Sequence, residues 1–472
     1  MPEPRPTIDP DPETMRRVGY EMIDRVVEHL TTLSSQPVTG RRDRATLAEL
    51  IDEPLPETPS SLEDCLDRFF ERVVPDMTRV NHPRFHAYIP CPSSFTGAMG
   101  DMLAAAMNPF AGSWLVGATV SSLELTVLRW IAEMLGYEPT SAGIFTSGGS
   151  MANLAGLAAA RGKFGRDAFD RGTIYVSGEG HASMNKAAAI LGFPEEAVKT
   201  IAVDNDFRID VDELKRTVAL DRANGRLPFF VSANAGTTNT GAIDPLPELA
   251  DFCADSDIWF HVDAAYGGFA ALTSEGRSLL RGMERGDSLT LDPHKWLYCP
   301  LGIGCVLVRH GGFLEQAFSG GGNYLKDLPA DEVNFCNRSP ELSRPARVLA
   351  VWMVIRSVGR AGLAVQIQED MRLARLAAAL LRDDTRLEVR DPVLSVVTFR
   401  HRQSDGETES QRAERDTELM EATLADGALM LSTTYLGDRN TLRLTVMNHR
   451  TTEADIHRSV KRIRELVVDP PA

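Results

Sequence analysis

Apolar residues recur every three or four positions near the start of the chain, which predicts an amphipathic helix. Asp11 provides an N-cap and Pro12 suits the first helical position. The apolar stripe that follows consists of Met15, Val18, Met22, Val26, Leu30 and Leu33. The proline-rich stretch 52–61 separates this helix from the next apolar-periodic segment. Because so short an arm cannot cover its own stripe, we expect it to pack on the main body or on a second copy of the chain.

Short apolar strands alternate with helical stretches between about residues 120 and 310. Strands are predicted at 143–146, 173–177, 229–234 and 258–265, and helices at 151–161, 184–191 and 245–253. Nearly continuous apolar strands joined by helices are typical of a mainly parallel sheet covered on both faces. In such α/β folds the functional residues lie in loops at the carboxyl ends of strands. The sequence therefore predicts an α/β large domain.

The pattern changes again after the glycine-rich segment 311–324. Little periodicity follows until a long helix from about residue 343. The rest of the chain combines helices with a strand at 393–399 and a hairpin around 435–440, which indicates a small α+β domain. We expect an N-terminal helical arm and dimerisation segment over 1–85, a large domain over 86–360 and a small C-terminal domain over 361–472.

Composition and charge exclude several classes of protein. The 472 residues are 43% hydrophobic and 25% charged, which is typical of a globular protein. A net charge of −16 would repel nucleic acid. The six cysteines include no CxxC pair and no zinc-type spacing. Since we find neither a signal-type segment nor an uninterrupted apolar run of about 18 residues, we expect a cytoplasmic protein without a membrane partner.

Lys295 is the first candidate for chemistry. It follows a strand-like run and lies between His294 and Trp296 in an apolar neighbourhood. Desolvation and a neighbouring imidazole would lower its pKa, which suits an amine that forms a Schiff base. The alternative is a surface lysine beside a loop tryptophan.

Asp263 ends another apolar strand, where an unpaired carboxylate would be costly. A protonated pyridine nitrogen would compensate this charge, and pyridoxal phosphate (PLP) uses that nitrogen's charge as an electron sink. The alternatives are a buried, hydrogen-bonded acid, or His261 and Asp263 as metal ligands. No third ligand stands at a suggestive spacing, so we expect no metal.

Three further segments place polar groups after strands. In 143–154 a two-glycine turn precedes a helix that starts near Ser150, and N–H groups at a helix start suit a phosphate. His181 lies in a polar turn where its ring could cover a planar cofactor. Segment 235–245 adds the hydroxyls of Thr237 and Thr238. A tight strand–helix turn and an ordinary loop histidine are the alternatives for the first two.

The ordered motifs TSGGSMAN, GEGHAS, AGTTNTGAID, HVDAAYGG and DPHKW together resemble the group II PLP-dependent amino-acid decarboxylases of the aromatic-L-amino-acid (DOPA) type. The resemblance runs from about residue 15 to the C-terminus. It implies the aspartate-aminotransferase-like fold (fold type I), pyridoxal 5′-phosphate as cofactor, and a homodimer with active sites at the subunit interface. The activity it implies is α-decarboxylation of an L-amino acid to an amine and carbon dioxide.

The resemblance also implies roles for single residues. Lys295 would form the Schiff base with PLP, Asp263 would pair with the pyridine nitrogen, and His181 would stack on the ring. The phosphate would lie among Gly149, Ser150, Asp292 and His294, with Thr237 near the ring. The substrate pocket would include Tyr88, Ile89, Phe110 and Gly112. Since Ile89 and Gly112 replace bulky aromatic residues of the family, as does Val80, we expect a substrate larger or less aromatic than DOPA.

The product depends on a tyrosine that the DOPA-type enzymes carry in a mobile loop after the glycine-rich segment. Residues 325–345 contain no tyrosine, and Phe335 is the nearest aromatic residue. Related plant aldehyde synthases have phenylalanine at the corresponding place and form aldehyde, ammonia and hydrogen peroxide. We therefore include Phe335 among the candidate catalytic residues and keep aldehyde formation as the alternative to amine formation. Transamination, β-elimination and a cofactor-free binding protein are further alternatives.

Overall fold

Two sheets organise the chain, each with its own hydrophobic core. The structure is a computed structural model that describes residues 8–40, 42–320, 322–329 and 331–468. The strands are β1 Ala142–Thr146, β2 Gly172–Ser177, β3 Val198–Ile201, β4 Leu227–Asn234, β5 Trp259–Asp263, β6 Ser288–Leu291, β7 Gly304–Val308, β8 Leu387–Val389, β9 Val396–His401, β10 Ser432–Leu436 and β11 Arg439–Thr445. The larger sheet has the order β1-β7-β6-β5-β4-β2-β3, and the smaller one β10-β11-β9-β8.

Helices connect the strands and cover the sheets. They are α1 Pro12–Thr32, α2 Arg44–Ile51, α3 Leu62–Arg68, α4 Phe95–Met107, α5 Trp114–Leu135, α6 Gly149–Arg171, α7 Ser183–Ile190, α8 Val211–Ala223, α9 Leu246–Asp255, α10 Ser274–Leu279, α11 Gly312–Phe318, α12 Val348–Arg382, α13 Glu409–Asp426 and α14 Glu453–Leu466. The strands predicted near 143, 173, 229 and 258 are observed as β1, β2, β4 and β5.

The larger sheet is mostly parallel, as the sequence predicted. Strands β2, β3, β4, β5 and β6 run parallel, while β7 is antiparallel to both of its neighbours. Asp263 at the end of β5 pairs in register with Asn234 of β4 and with Thr290 of β6. The carboxyl ends of three adjacent strands therefore meet at one edge of the sheet, where α/β folds bind their ligands.

The N-terminal arm is only partly covered within one chain. Helix α1 starts after Asp11, whose side chain accepts hydrogen bonds from two N–H groups of the first turn. Within the predicted stripe Val18 and Leu33 are buried, whereas Met15 is 45% exposed. Tyr20 and Val27, outside the stripe, are also exposed, so α1 carries apolar side chains that one chain does not cover.

Helix α12 belongs to both cores. Its first turns, including Val351 and Val354, pack in the large core, and residues 373–381 pack against the small sheet. The expected boundary at 361 falls inside this helix, two residues after Gly359, whose positive φ of 71° interrupts the helical geometry. The two units are thus joined by one long, kinked helix.

Helices α5 and α12 are long and apolar enough, by length and composition, to cross a membrane. The most apolar window of α5 is 44% buried within the fold and that of α12 is 33% buried. Core helices of proteins without membrane spans pass the same test, so these two helices are weak evidence for membrane insertion.

A buried ion pair fixes the segment that precedes α12. Arg344 donates to Glu124 of α5 at 2.7 Å and to the carbonyl of Phe145 in β1 at 2.9 Å, and both charged side chains are 1% exposed. The Arg344 guanidinium also lies over the Phe335 ring, 5.0 Å from its centroid. The stretch 335–344 is therefore held against the edge strand of the large sheet.

Candidate active site

A cavity of about 240 Å³ lies at the carboxyl ends of β4, β5 and β6, beside the start of α6. Seven of the residues predicted to bind cofactor line it, namely Gly149, Ser150, His181, Asp263, Asp292, His294 and Lys295. Thr237 does not line it: its hydroxyl is buried against Thr240 at 2.9 Å, and the neighbouring Thr238 reaches the cavity instead.

Lys295 lies in the turn after β6, and its Nζ is 2.9 Å from Oδ2 of Asp292. Burial acts to lower the pKa of Lys295, but the charge and hydrogen bond of Asp292 outweigh burial and raise the pKa above its ordinary value. The expected direction was wrong because the sequence did not show that this carboxylate pairs with the amine. The nearby His294 stays neutral more readily, since burial lowers its pKa.

Asp263 is held by two donors. Its Oδ1 accepts from the N–H of Ala265 at 3.2 Å, and its Oδ2 accepts from the side-chain N–H of Asn153 at 2.8 Å. His261 uses both ring nitrogens within the fold, with Ser288 Oγ at 2.7 Å and Asn153 Oδ1 at 3.0 Å. This pairing leaves no free nitrogen on His261 for a metal ion. Among the described residues there is no group of three or more His, Cys, Asp and Glu that could hold a metal ion.

The start of α6 forms a cradle suited to a small anion. The N–H groups of Met151 and Ala152 both donate to the Gly148 carbonyl and make the first hydrogen bonds of the helix. The N–H groups of Gly149 and Ser150 come before these bonds and have no acceptor within the helix. A Cβ on Gly149 would lie 2.8 Å from Asp292 Oδ2, which explains the need for glycine there. Oδ1 of Asp292 is buried without a hydrogen-bond partner, so the site holds an unsatisfied polar atom.

The residues expected in the substrate pocket do not line this cavity in the single chain. Tyr88 is 61% exposed and has a positive φ of 56°. A Cβ on Gly112 would lie 2.2 Å from the Leu342 carbonyl oxygen and 2.8 Å from the Phe110 ring. Gly112 is therefore a packing glycine beside Phe110. The lining of the cavity includes none of the four expected residues, Tyr88, Ile89, Phe110 and Gly112.

Phe335 is fully buried in the large core and does not line the cavity. Its ring packs under the Arg344 guanidinium of the same chain. That Phe335 stands where the DOPA-type enzymes have a tyrosine stays a prediction.

These features define a fold type I site, in which a lysine amine, an acid at the end of a strand and a helix start share one cavity. Residues 45–402 match the family model described as the pyridoxal-dependent decarboxylase conserved domain. The chain belongs to this family, and it is a PLP-dependent enzyme of the decarboxylase and aldehyde-synthase group.

The similarity to known relatives and to a solved structure covers nearly the whole chain. The chain is 38% identical over 458 residues to aromatic-L-amino-acid decarboxylase of Bacillus atrophaeus, covering 96% of this chain and 95% of the relative. It is 35% identical to L-2,4-diaminobutyrate decarboxylase of Rhizobium meliloti (strain 1021), covering 95% and 91%. Identity to phenylacetaldehyde synthase of Arabidopsis thaliana is 30%, covering 96% of both. The structure of Oryza sativa TDC with PLP and tryptamine superposes with a TM-score of 0.92 at 28% identity, covering 98% and 99%.

The cavity fits pyridoxal phosphate in its chemistry. Lys295 offers an amine, Asp263 a carboxylate, and the start of α6 a set of N–H groups, which correspond to the aldehyde, pyridine nitrogen and phosphate of the cofactor. The buried polar atom of Asp292 also indicates that the cavity is built for a polar occupant.

A buried carboxylate on α12 supports the turn that carries Lys295. Asp370 accepts from Trp296 Nε1 at 3.0 Å and from the Tyr298 hydroxyl at 2.8 Å. Trp296 stacks on Tyr266, with ring centroids 4.9 Å apart. Burial raises the pKa of Asp370 to about 7, since its hydrogen bonds only partly compensate desolvation.

We predict that Asp370→Asn changes how stability depends on pH. Because the folded state holds the Asp370 proton up to about pH 7, while the unfolded chain releases it near 3.8, the wild type loses stability as pH rises from about 4 to 7. The variant lacks this loss, so the Tm of the wild type should fall relative to that of the variant across this window. The control Asp391→Asn changes a carboxylate that is 93% exposed and should give a constant difference. A constant difference for Asp370→Asn would contradict the prediction.

Proposed function

We propose that this enzyme removes the α-carboxylate of an L-amino acid and releases the corresponding amine and carbon dioxide. The observation that carries the proposal is the meeting of Lys295, Asp263 and the α6 start in one cavity of a member of the pyridoxal-dependent decarboxylase family. When bound, PLP supplies an electron sink for the electrons of the bond that breaks.

The residues of the chain supply position, charge and proton control. The Lys295 amine must lose its proton before it can react with a carbonyl carbon, and Asp292 Oδ2 at 2.9 Å is an acceptor within hydrogen-bond distance. The Asp263 carboxylate would favour a positive charge on a pyridine nitrogen held opposite it. The exposed ring of His181 lines the cavity, and its orientation is fixed by Ser183 Oγ at 2.7 Å. The orientation in which the site holds the α-carboxylate would determine which bond breaks.

Attachment of the cofactor to Lys295 is the first expected result. Borohydride reduction of the holoenzyme followed by peptide mapping should find a pyridoxyl group on Lys295, because this amine lies in the cavity beside Asp292. Lys295→Ala should abolish both the adduct and carbon dioxide release. Lys186→Ala, which changes an exposed lysine of α7, is the matched control and should keep both. A pyridoxyl group on another lysine would contradict the proposed function.

We propose amine as the product, with aldehyde formation as the alternative. Residues 325–345 contain no tyrosine that could donate a proton to the α-carbon of the substrate, so water, His181 or another group would supply the proton when amine forms. Aldehyde formation is supported by the similarity to aldehyde synthases. This reaction requires oxygen: the amino acid, oxygen and water would give aldehyde, carbon dioxide, ammonia and hydrogen peroxide.

We predict that Phe335→Tyr shifts any aldehyde output of the enzyme towards amine, because tyrosine adds a hydroxyl that can donate a proton. Amine, aldehyde, peroxide and oxygen uptake are measured together. Phe399→Tyr, which changes a buried ring of the small core, is the matched control and should leave the product ratio unchanged. An unchanged ratio in Phe335→Tyr would rule out a role of this position in product choice.

We further propose a substrate that is larger or less aromatic than DOPA. The similarity to a diaminobutyrate decarboxylase supports a non-aromatic side chain, whereas the similarity to an aromatic-amino-acid decarboxylase favours an aromatic one.

A substrate panel distinguishes these side-chain classes. We expect 2,4-diaminobutyrate or another non-aromatic L-amino acid to give a higher kcat/KM than DOPA, tryptophan or phenylalanine, measured by carbon dioxide release. The highest kcat/KM for DOPA or tryptophan would contradict the substrate proposal and leave the reaction type intact.

We propose a homodimer with active sites at the subunit interface. Support comes from exposed apolar side chains on α4 and the start of α5, including Met102, Met107, Leu115 and Val116. A second copy of the chain would cover these side chains, and α1 exposes further apolar residues that need a partner surface. Light scattering should give twice the chain mass of 51.7 kDa.

A further inference from the structure

We infer that Asn153 is a positioning residue that holds both the Asp263 carboxylate and the His181 ring through one buried hydrogen-bond chain. The inference rests on the proposed roles of Asp263 and His181 toward the cofactor. It assigns a role to a residue of α6 that does not itself react, and it gives a donor and an acceptor for each hydrogen bond from Trp259 to Asp263.

The orientation of the Asn153 amide is fixed by its neighbours. The side chain is 1% exposed and lies on the first turns of α6. Its Nδ2 is 2.8 Å from Asp263 Oδ2, an atom of a carboxylate that only accepts when ionised. The reversed amide would set two oxygens against each other at that distance. Oδ1 of Asn153 therefore faces Nε2 of His261, at 3.0 Å.

His261 transmits this orientation to the core. Because Asn153 Oδ1 can only accept, Nε2 of His261 must donate. The ring is fully buried and burial lowers its pKa to about 4, so the imidazole is neutral and its Nδ1 must accept. The donor to Nδ1 is the hydroxyl of Ser288 at 2.7 Å, whose oxygen accepts in turn from Trp259 Nε1 at 2.8 Å. The series of hydrogen bonds thus begins at the Trp259 indole, which can only donate.

The second hydrogen of the Asn153 amide links it to His181 through Ser183. Nδ2 of Asn153 also donates to Ser183 Oγ at 2.8 Å, and this hydroxyl lies 2.7 Å from Nδ1 of His181. The backbone N–H of Ser183 also points to that nitrogen, at 3.3 Å. Since a backbone N–H can only donate, Nδ1 of His181 is an acceptor. A neutral His181 then carries its proton on Nε2.

The surrounding residues leave room for the His261 ring and for little else. A Cβ on Gly156 would lie 2.9 Å from both Cε1 and Nδ1 of His261. On another side, Phe230 stacks on the imidazole with centroids 5.4 Å apart. The imidazole therefore cannot move away from Asn153 without displacing α6 or the sheet.

The consequence concerns the charge opposite the cofactor. A hydrogen bond donated to a carboxylate favours its ionised form, and bonds to charged groups contribute about 1.5–3 kcal/mol. Asn153 supplies one of the two such bonds that Asp263 receives. Loss of the amide should weaken the positive charge on the pyridine nitrogen and release the His181 ring.

Asn153→Leu tests the role, because leucine is similar in size but cannot donate. We expect the Kd of the holoenzyme for PLP to rise about tenfold to a hundredfold. With PLP labelled with ¹⁵N in the ring, the pyridine resonance should move towards the unprotonated value. The kcat should fall while KM changes less than threefold, since the affected groups act on the cofactor.

A matched control and a milder variant accompany this experiment. Asn440→Leu removes another buried amide, which donates to the Ala413 carbonyl and Thr417 hydroxyl of the small unit. It should leave both the PLP Kd and the resonance unchanged. Ser288→Ala breaks the far end of the chain without removing Asn153, and it should shift both quantities in the same direction by a smaller amount. It also provides the test if Asn153→Leu does not fold.

The outcomes separate the inference from the proposed function. A wild-type PLP Kd and an unmoved resonance in Asn153→Leu, or in Ser288→Ala if only that variant folds, would overturn the positioning role. If Asp263→Asn also left both quantities unchanged, the proposed role of Asp263 would fail, and the positioning role with it. Large effects of Asp263→Asn and Asn153→Leu, with none for Asn440→Leu, would support it.

Discussion

The pairing of Lys295 with Asp292 is the interaction on which the site depends. A largely buried ammonium without a partner would be costly, and so would the buried carboxylate of Asp292. At 2.9 Å each group compensates the other. The parallel register of β4, β5 and β6 makes the pairing possible, because it brings the ends of these strands to the edge where α6 begins. Sheet geometry and charge compensation therefore determine the chemistry of the cavity together.

Much of this arrangement could be predicted from the sequence because it depends on local signals. Apolar strands, a glycine turn before a helix, and polar residues directly after strands indicated an α/β sheet whose active edge carries Lys295, Asp263 and His181. Those signals act within a few residues of the chain. The parallel connection of the strands then brings the segments together without any further information. For this reason the positions of the three residues could be anticipated, although their mutual hydrogen bonds could not.

Features that depend on distant contacts were missed or misplaced. The pKa of Lys295 is raised because a carboxylate three residues away folds back onto the amine. The packing of Phe335 under the Arg344 guanidinium, which pairs with Glu124, could not be predicted from the sequence either. Gly112 appeared to open a pocket, whereas in the fold its missing side chain accommodates Phe110 and Leu342. Asn153 ends the motif TSGGSMAN, but its role could not be inferred from the sequence because it depends on contacts with β5 that only the fold creates.

Helix α12 has a mechanical consequence for the lysine turn. Asp370 lies beyond the kink at Gly359, on the stretch of the helix that leads to the small sheet, and it grips Trp296 and Tyr298 on the two sides of the turn. The turn that carries the reactive amine is therefore joined by hydrogen bonds to the helix that continues into the small unit. A substitution on this stretch of α12 can change the position of the Lys295 amine even though it lies outside the cavity.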